Sequence, residues 1–208
     1  MPQPTRSPRD EPGAPARIGV FGGTFDPPHL GHLVTAVNVR HALALDVILF
    51  VVANVPWQKE GQRPISPPDD RLALVEAAVD GVDGLEASRI ELDRGGRSYT
   101  ADTLADLAAV HPHAALFTVL GEDAAAALTT WRRHEEVVER STLVVVERPG
   151  MHVELPAGID WVRVEVPHLE VSSTDLRARV ADGRPLDYLL TPEVIALVRK
   201  RELYGATW

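Results

Sequence analysis

Two histidines, His29 and His32, lie three positions apart at the end of a glycine-rich stretch of the chain. An apolar run at residues 17–21 precedes this stretch and is typical of a buried parallel strand. The apolar residues that follow predict a helix beginning near Gly31, so that both imidazoles would face the space in front of a helix N-terminus. Backbone N–H groups and the helix dipole favour anions at such a position. The histidine pair therefore indicates contact with phosphate oxygens.

A histidine pair can also bind zinc or simply lie on the surface. A protein zinc site needs three or four ligands from histidine, cysteine or carboxylate side chains. The chain contains no cysteine, and no nearby carboxylate completes a tetrahedral set around His29 and His32. We therefore favour phosphate chemistry and predict no metal site made by the protein alone.

The composition of the chain limits what the protein can be. Its 208 residues are 45% apolar and 25% charged, which predicts one main globular domain with a sizeable core. A formal net charge of -9 argues against a protein that coats nucleic acid or an anionic membrane. The absence of cysteine excludes disulfides and a thiol nucleophile, and no apolar run is long enough to span a bilayer. Residues 1–16 lack the apolar core of a secretory signal, so we expect a disordered tail on a cytoplasmic protein.

Apolar runs alternate with helical segments along the chain, which predicts an α/β fold with a doubly wound parallel sheet. The predicted strands are 17–21, 47–52, 85–92, 116–120 and 142–146, with an edge strand at 162–166. An alanine-rich helix is expected to end near Trp131, and a short helix to cover residues 134–140. Residues 17–166 would form the main α/β domain. Residues 167–208 would form a small C-terminal helical appendage. The N-terminus of its first helix would face residues 22–32, which we call the histidine loop.

Capping residues predict where four helices begin. They are Ser66, with Pro67 as the first helical residue; Ser98 or Thr100; Ser172, with Asp175 reaching back to complete a capping box; and Thr191, with Pro192 as the first helical residue.

Two separated segments resemble the signatures of the HxGH nucleotidyltransferase superfamily. Residues 22–32 end in His29-Leu30-Gly31-His32 and resemble the first signature. Residues 171–177 resemble the second, ISSTxxR, with Val171 in place of isoleucine. The resemblance implies a Rossmann-like nucleotidyltransferase fold, in which the C-terminal appendage would complete an ATP site.

Within that superfamily, residues 17–205 are most similar to bacterial nicotinate-nucleotide adenylyltransferase. The similarity is carried by the loop at 22–27, by Ser-Tyr-Thr-Ala-Asp-Thr-Leu at 98–104, by Gly121-Glu122-Asp123 with Trp131 downstream, and by Arg148-Pro149-Gly150. Pantetheine-phosphate adenylyltransferase and the cytidylyltransferases are not expected to share the Ser-Tyr-Thr segment or the tryptophan. The resemblance implies an enzyme that transfers AMP from Mg²⁺-bound ATP to nicotinate mononucleotide, giving deamido-NAD and pyrophosphate in NAD biosynthesis. Transfer would be direct and in line, without a covalent enzyme intermediate.

The same resemblance implies roles for individual residues. The catalytic residues would be His29, His32 and Arg177. The ATP-binding residues would be Gly22, Gly23, Thr24, Phe25, His29, His32, Gly121, Asp123, Ser172, Ser173, Thr174 and Arg177. The residues that bind nicotinate mononucleotide would be Lys59, Thr100, Trp131, Arg132 and Arg148.

Some of these acceptor-site residues also fit ordinary structural roles. Trp131 could be a core aromatic, Thr100 a helix cap and Lys59 a solvated loop lysine. Arg132 lies in a small basic cluster that would otherwise be a solvated helix end.

The loop before Lys59 departs from the family pattern. The chain has Pro56-Trp57-Gln58-Lys59 where many members have a proline pair and a histidine. We therefore expect Trp57, in place of that histidine, to close over the pyridine site.

Two rival functions are left open by the sequence. The first is adenylation of nicotinamide mononucleotide or phosphopantetheine by the same chemistry. The second is a nucleotide-binding scaffold that kept the fold without turnover. An enzyme is favoured because the phosphate-binding residues His29, His32, Ser173, Thr174 and Arg177 are all present. The sequence is also compatible with a homo-oligomer.

Overall fold

The computed structural model describes residues 16–56, 64–147 and 153–206. Its strands are β1 Arg17–Gly23, β2 Val47–Val52, β3 Leu85–Ser88, β4 Ala115–Gly121, β5 Thr142–Glu147 and β6 Trp161–Glu165. Its helices are α1 Leu30–Ala42, α2 Pro68–Val79, α3 Ile90–Arg94, α4 Thr100–Val110, α5 Glu122–Ala126, α6 His134–Arg140, α7 Ser173–Asp182 and α8 Pro192–Lys200. Short 3₁₀ turns cover Leu128–Thr130 and Leu203–Gly205.

The strands of this part of the chain form one six-stranded sheet in the order β3-β2-β1-β4-β5-β6. Every neighbouring pair is parallel. The strand order runs outward in one direction from β1 to β3 and in the other from β4 to β6. The crevice at the carboxyl ends of β1 and β4 is therefore the switch point at which open α/β sheets bind ligands.

Helices cover both faces of the sheet, which confirms the predicted doubly wound α/β class. On one face α1 and α2 bury Ala36, Val39 and Val75 against the strands. On the other face α4 and α6 bury Leu104 and Val137. Central strands covered on both sides explain the continuous apolar runs in the sequence.

The C-terminal helices pack on the outer side of α2. Leu74 and Ala78 of α2 share an apolar cluster with Leu176 of α7 and with Val194 and Val198 of α8. These side chains are 0 to 4% exposed. The contact holds the start of α7 over the carboxyl edge of the sheet, beside the histidine loop.

The prediction of a third strand through Leu92 is wrong beyond Ser88. The chain turns after β3 into the short helix α3, whose C-cap is Gly95 with a φ of 72°. In this helix the carboxylate of Glu91 is turned inward and accepts a hydrogen bond of 2.5 Å from the hydroxyl of Thr103. Burying this polar pair favours the turn over a continued edge strand.

Two predicted helix caps are also wrong. Pro67 is the N-cap of α2 and Pro68 its first residue, while the carbonyl of Ser66 accepts a hydrogen bond from Arg71. Tyr99 is the N-cap of α4, because Ser98 Oγ instead accepts from the backbone N–H of Asn54.

The predicted caps of α7 and α8 are confirmed. Ser172 Oγ accepts from Asp175 N–H, and Thr191 Oγ1 accepts from Val194 N–H. The Asp175 carboxylate does not complete a capping box, because it is bound by Arg179 and Arg184.

The remaining differences concern element ends. Strand β2 and helix α6 have the predicted bounds, and β6 is shifted by one residue. The alanine-rich helix α5 ends at Ala126, and a 3₁₀ turn leads from there to Trp131. No described helix is long and apolar enough to cross a membrane.

Candidate active site

The histidine loop lies at the carboxyl end of β1 and leads directly into α1. His29 is the N-cap of α1 and His32 lies in its first turn. The backbone N–H of His29 donates to His32 Nδ1 at 3.1 Å, and the two rings stack with centroids 3.7 Å apart. Both imidazoles are thus held together at a helix N-terminus, as their spacing predicted.

Burial controls the charge of His29. Loss of solvent lowers the pKa of His29 to about 4, so the free protein carries a neutral imidazole at neutral pH. Its Nδ1 is buried and has no hydrogen-bond partner among the described residues. A neutral imidazole offers one N–H donor, which suits a phosphate oxygen without requiring a prior proton uptake.

The ring of His32 is oriented by aromatic side chains on the core side of the loop. Its ring lies edge-on to Phe25, with centroids 5.1 Å apart, and Phe25 packs in turn against Phe21 and Phe50. Phe25 is 3% exposed and therefore supports the loop from the core. A Cβ on Gly23 would lie 2.6 Å from the Phe25 ring, so the second glycine of the loop is required by this packing.

The start of α7 contacts the histidine loop through side chains of the second signature. Ser173 Oγ donates to the carbonyl of Pro27 at 2.8 Å, across 146 positions of sequence. Arg177 donates to the carbonyl of Asp26 at 2.7 Å and to Thr174 Oγ1 at 3.2 Å. The two signature segments therefore form one continuous polar edge.

The buried carboxylate of Asp26 links the histidine loop to the 3₁₀ turn at residues 203–205. Asp26 is 1% exposed, and its Oδ1 accepts a hydrogen bond of 2.9 Å from the hydroxyl of Tyr204. Burial and the neighbouring Asp26 raise the pKa of Tyr204 far above its usual value, so this phenol stays a donor. The sequence reasoning assigned neither residue a role.

A cavity of about 280 Å³ opens beside the loop, between the ends of β1 and β4. Among the predicted site residues it brings together Gly22, Gly23, Thr24, Thr100, Gly121, Trp131 and Arg132. The Nε1 of Trp131 is buried without a hydrogen-bond partner in the described part of the chain. Asp123 is exposed in the first turn of α5, immediately after β4.

Arg132 and Arg133, two basic residues at the start of α6, make different contacts. The Arg132 guanidinium lies over the ring of Tyr99, 5.1 Å from its centroid, and lines the cavity. Arg133 instead forms ion pairs with Asp102 and Glu136. Arg132 is therefore the member of the cluster that a ligand in the cavity can reach.

Two other buried charges near the site were missed by the sequence reasoning. Glu91 lines the cavity and is held by Thr103 and by an ion pair with Arg94 at 3.8 Å. Arg71 is 1% exposed and binds backbone carbonyls around the histidine loop. Neither has a sequence signal of its own, because each stands in a helix among other charged residues.

Three predicted residues lie outside the described ranges: Lys59, Trp57 and Arg148. Residues 1–15 of the predicted tail also lie outside them. Across the described ranges no cluster of three or more histidine, aspartate or glutamate side chains could hold a metal ion by itself.

Comparison with known proteins assigns the chain to a class. The family model described as cytidylyltransferase-like matches residues 20–179, which include both signature segments. Among solved structures, the nicotinic acid mononucleotide adenylyltransferase of Plasmodium falciparum complexed with NaAD superposes with a TM-score of 0.75. The superposition covers 92% of this chain and 98% of that one at 17% identity, so it shows the shared fold. The molecule is thus a nucleotidyltransferase of the cytidylyltransferase-like class.

Curated relatives narrow the assignment. A relative from Corynebacterium kroppenstedtii is 43% identical over 90% of each chain, and one from Frankia casuarinae is 45% identical over 88% of this chain and 98% of its own. Both are named probable nicotinate-nucleotide adenylyltransferase. The chain belongs to the nicotinate-nucleotide adenylyltransferase family, which confirms the resemblance read from its motifs.

Proposed function

We propose that this protein transfers AMP from ATP to nicotinate mononucleotide, giving deamido-NAD and pyrophosphate in NAD biosynthesis. The observation that carries the proposal is the contact between the two signature segments, Ser173 with Pro27 and Arg177 with Asp26, beside a cavity lined by Trp131. One side of this arrangement suits a polyphosphate and the other suits a flat ring. Membership of the nicotinate-nucleotide adenylyltransferase family supports the proposed reaction.

The ATP side is the edge formed by the histidine loop and the start of α7. His29 and His32 would contact the phosphates and stabilise charge in the transition state. Ser172, Ser173, Thr174 and Arg177 would hold the β- and γ-phosphates, because a helix N-terminus and a guanidinium both favour phosphate oxygens. Gly22, Gly23, Thr24 and Phe25 would shape the loop, and Gly121 with Asp123 would hold the adenosine.

The acceptor side is the part of the cavity that Thr100, Trp131 and Arg132 line. Trp131 would stack on the pyridine ring, an electron-poor partner for an indole face. Thr100 and the backbone beside Trp131 would receive the nicotinate carboxylate, and the position of Arg132 over Tyr99 adds a positive charge near it. The mononucleotide phosphate would be met by Lys59 and Arg148.

The chemistry needs alignment more than activation. An oxygen of the acceptor phosphate forms a bond to the α-phosphorus of ATP while the bond from that phosphorus to the bridging oxygen breaks, and pyrophosphate leaves. A phosphate monoester is already a competent nucleophile, so neither a general base nor a covalent enzyme intermediate is required. The residues offset charge on the transferring group and the leaving group.

Magnesium is proposed as part of the ATP substrate. Mg²⁺ binds ATP phosphates and several waters, and proteins add only one or two carboxylates. In this proposal the ATP phosphates and water supply the ligands of the metal, and Asp123 in the first turn of α5 remains assigned to the adenosine. When bound, Mg²⁺ supplies charge neutralisation on the phosphates. We also propose a cytoplasmic location for the enzyme.

A turnover assay tests the function. Purified protein is mixed with ATP, Mg²⁺ and one acceptor, and pyrophosphate release is followed. We expect nicotinate mononucleotide to be adenylated faster than nicotinamide mononucleotide or phosphopantetheine. Faster adenylation of phosphopantetheine would overturn the proposal, and ATP binding without turnover of any acceptor would support a scaffold instead.

A further inference from the structure

Arg71 of α2 is a buried guanidinium with an unusual set of acceptors. It is 1% exposed, and a guanidinium stays charged in proteins, so its donors must be satisfied internally. Nε donates to the carbonyl of Ser66 at 2.9 Å, Nη1 to that of Thr24 at 2.9 Å, and Nη2 to that of Asn54 at 3.1 Å. One planar group therefore joins three separate backbone segments.

One of these segments belongs to the ATP side of the site. Thr24 follows β1 directly, lines the cavity and precedes the histidines in the same loop. Its carbonyl accepts the hydrogen bond from Arg71 Nη1, and Arg71 belongs to α2. Displacing Thr24 would therefore displace the loop that carries His29 and His32.

A second segment leads to the acceptor side. The Asn54 backbone N–H donates to Ser98 Oγ at 2.8 Å, and Asn54 Nδ2 donates to the carbonyl of Gly96 at 2.9 Å. Ser98 N–H donates back to the carbonyl of Val55 at 3.0 Å. Ser98 and the following Thr100 line the cavity. The chain of hydrogen bonds thus runs from Thr24 through Arg71 and Asn54 to residues 98–100, which we call the acceptor wall of the cavity.

We propose that Arg71 is a positioning residue that fixes the separation between the histidine loop and the acceptor wall. This inference rests on the proposed function, in which the acceptor phosphate must lie in line with the α-phosphorus of ATP. Arg71 acts through the three carbonyls and contacts neither reacting atom. A displacement of about 1 Å in such a reaction can lower the rate about 100-fold while each substrate still binds.

The proposal differs measurably from a purely structural role. A buried arginine that only stabilised the fold would lower the melting temperature when replaced, but folded enzyme would keep its kcat. A positioning arginine lowers the kcat of folded enzyme and leaves ATP affinity nearly unchanged. The variant Arg71→Lys distinguishes a structural from a positioning role. Lysine keeps the positive charge, but it has no planar guanidinium that could bind three carbonyls at once.

The experiment measures kcat per folded molecule, the KM of nicotinate mononucleotide and the Kd of ATP in Arg71→Lys. We expect kcat to fall about 100-fold and the Kd of ATP to change less than about threefold. The matched control is Arg17→Lys. The Arg17 guanidinium also binds a backbone carbonyl, donating twice to that of Leu43, but it lies at the opposite end of β1 from the site. The control should keep its kcat whatever its loss of thermal stability.

Asn54→Ala tests the same connection without altering the buried charge. It removes the bond to Gly96 at an exposed position, so the protein should fold, and kcat should fall by roughly threefold or more with unchanged ATP affinity. Folded Arg71→Lys with near-normal kcat would overturn the proposal, as would a rise in ATP Kd that matched its kcat loss. If Arg71→Lys does not fold, normal kcat in Asn54→Ala would overturn it. Absence of turnover in the unaltered protein would count against the proposed function instead.

Discussion

His29 combines two properties that usually conflict in a phosphate site. It lies at the positive end of α1, yet burial keeps its imidazole neutral in the free protein. A neutral ring avoids an unpaired buried charge before substrate binds, and its N–H can still donate to a phosphate oxygen. The stacked partner His32 is oriented by Phe25. The pair is thus prepared for an anion without being charged in advance.

The first prediction concerns the pH dependence of stability. The pKa of His29 is about 4 in the folded protein against 6.5 for an unperturbed histidine, so the unfolded chain binds the extra proton between these values. The free energy of unfolding should therefore fall as pH drops from 6.5 towards 4, by up to about 1.4 kcal/mol per pH unit from this residue.

Urea unfolding of the unaltered protein and of His29→Gln across that pH range provides the measurement. Glutamine does not titrate, so the gap between the two stability curves should shrink or reverse as the pH falls. Parallel curves would show that His29 is not the buried neutral group described above.

The second prediction concerns His32. His32→Ala should lower kcat by about 100-fold to 1000-fold, because it removes a donor that stabilises charge in the transition state. ATP binding should largely persist, since the start of α7 still holds the outer phosphates. Calorimetric ATP titration beside the pyrophosphate assay separates the two effects, and full activity in the variant would contradict the role proposed for His32.

The third prediction concerns Trp131. Trp131→Ala should raise the KM of nicotinate mononucleotide about tenfold or more, because stacking of an aromatic side chain on a base contributes roughly 1 to 3 kcal/mol. The KM of ATP should change much less, since Trp131 is proposed to contact the pyridine ring and not ATP. Steady-state kinetics with each substrate varied in turn decides the matter, and equal effects on both would argue against stacking.

The helices α7 and α8 begin with equivalent caps but only one faces the site. Ser172→Ala and Thr191→Ala should each lower the free energy of unfolding by about 1 kcal/mol, because each removes an N-cap hydrogen bond. Only Ser172→Ala should also weaken ATP binding. Denaturation curves and ATP titrations of the two variants provide the comparison, and equal ATP affinities would remove Ser172 from the proposed phosphate site.

Elements with a strong local pattern were predicted closely. The continuous apolar run of β2 and the short helix α6 have the expected bounds, because burial on both faces and helical spacing leave a clear signal. The short helix α3 was missed because its identity depends on a distant partner. The Glu91 carboxylate accepts a hydrogen bond from Thr103 of α4, and no local sequence pattern predicts that contact.

At the scale of the whole molecule, too, local motifs were predictable from the sequence and long-range contacts were not. The two signatures predicted which residues would meet ATP, and the fold brings their segments together through Ser173 and Pro27. The groups that hold this arrangement were not predictable: Tyr204 reaches Asp26 across 178 positions, and Arg71 joins three backbone carbonyls. The backbone carbonyls that Arg71 binds carry no residue identity, and the two side chains of the Tyr204–Asp26 pair are too far apart in the chain for a local pattern to connect them.

The parallel sheet, the two phosphate-facing segments and the cavity between β1 and β4 all serve one proposed reaction. A single competition experiment tests this account most directly. The protein is incubated with Mg²⁺, ATP and equal concentrations of nicotinate mononucleotide, nicotinamide mononucleotide and phosphopantetheine, and the products are separated and identified by mass spectrometry. The account predicts that deamido-NAD is the main adenylated product and forms in a one-to-one ratio with pyrophosphate. A mixture dominated by NAD or by dephospho-coenzyme A would contradict it.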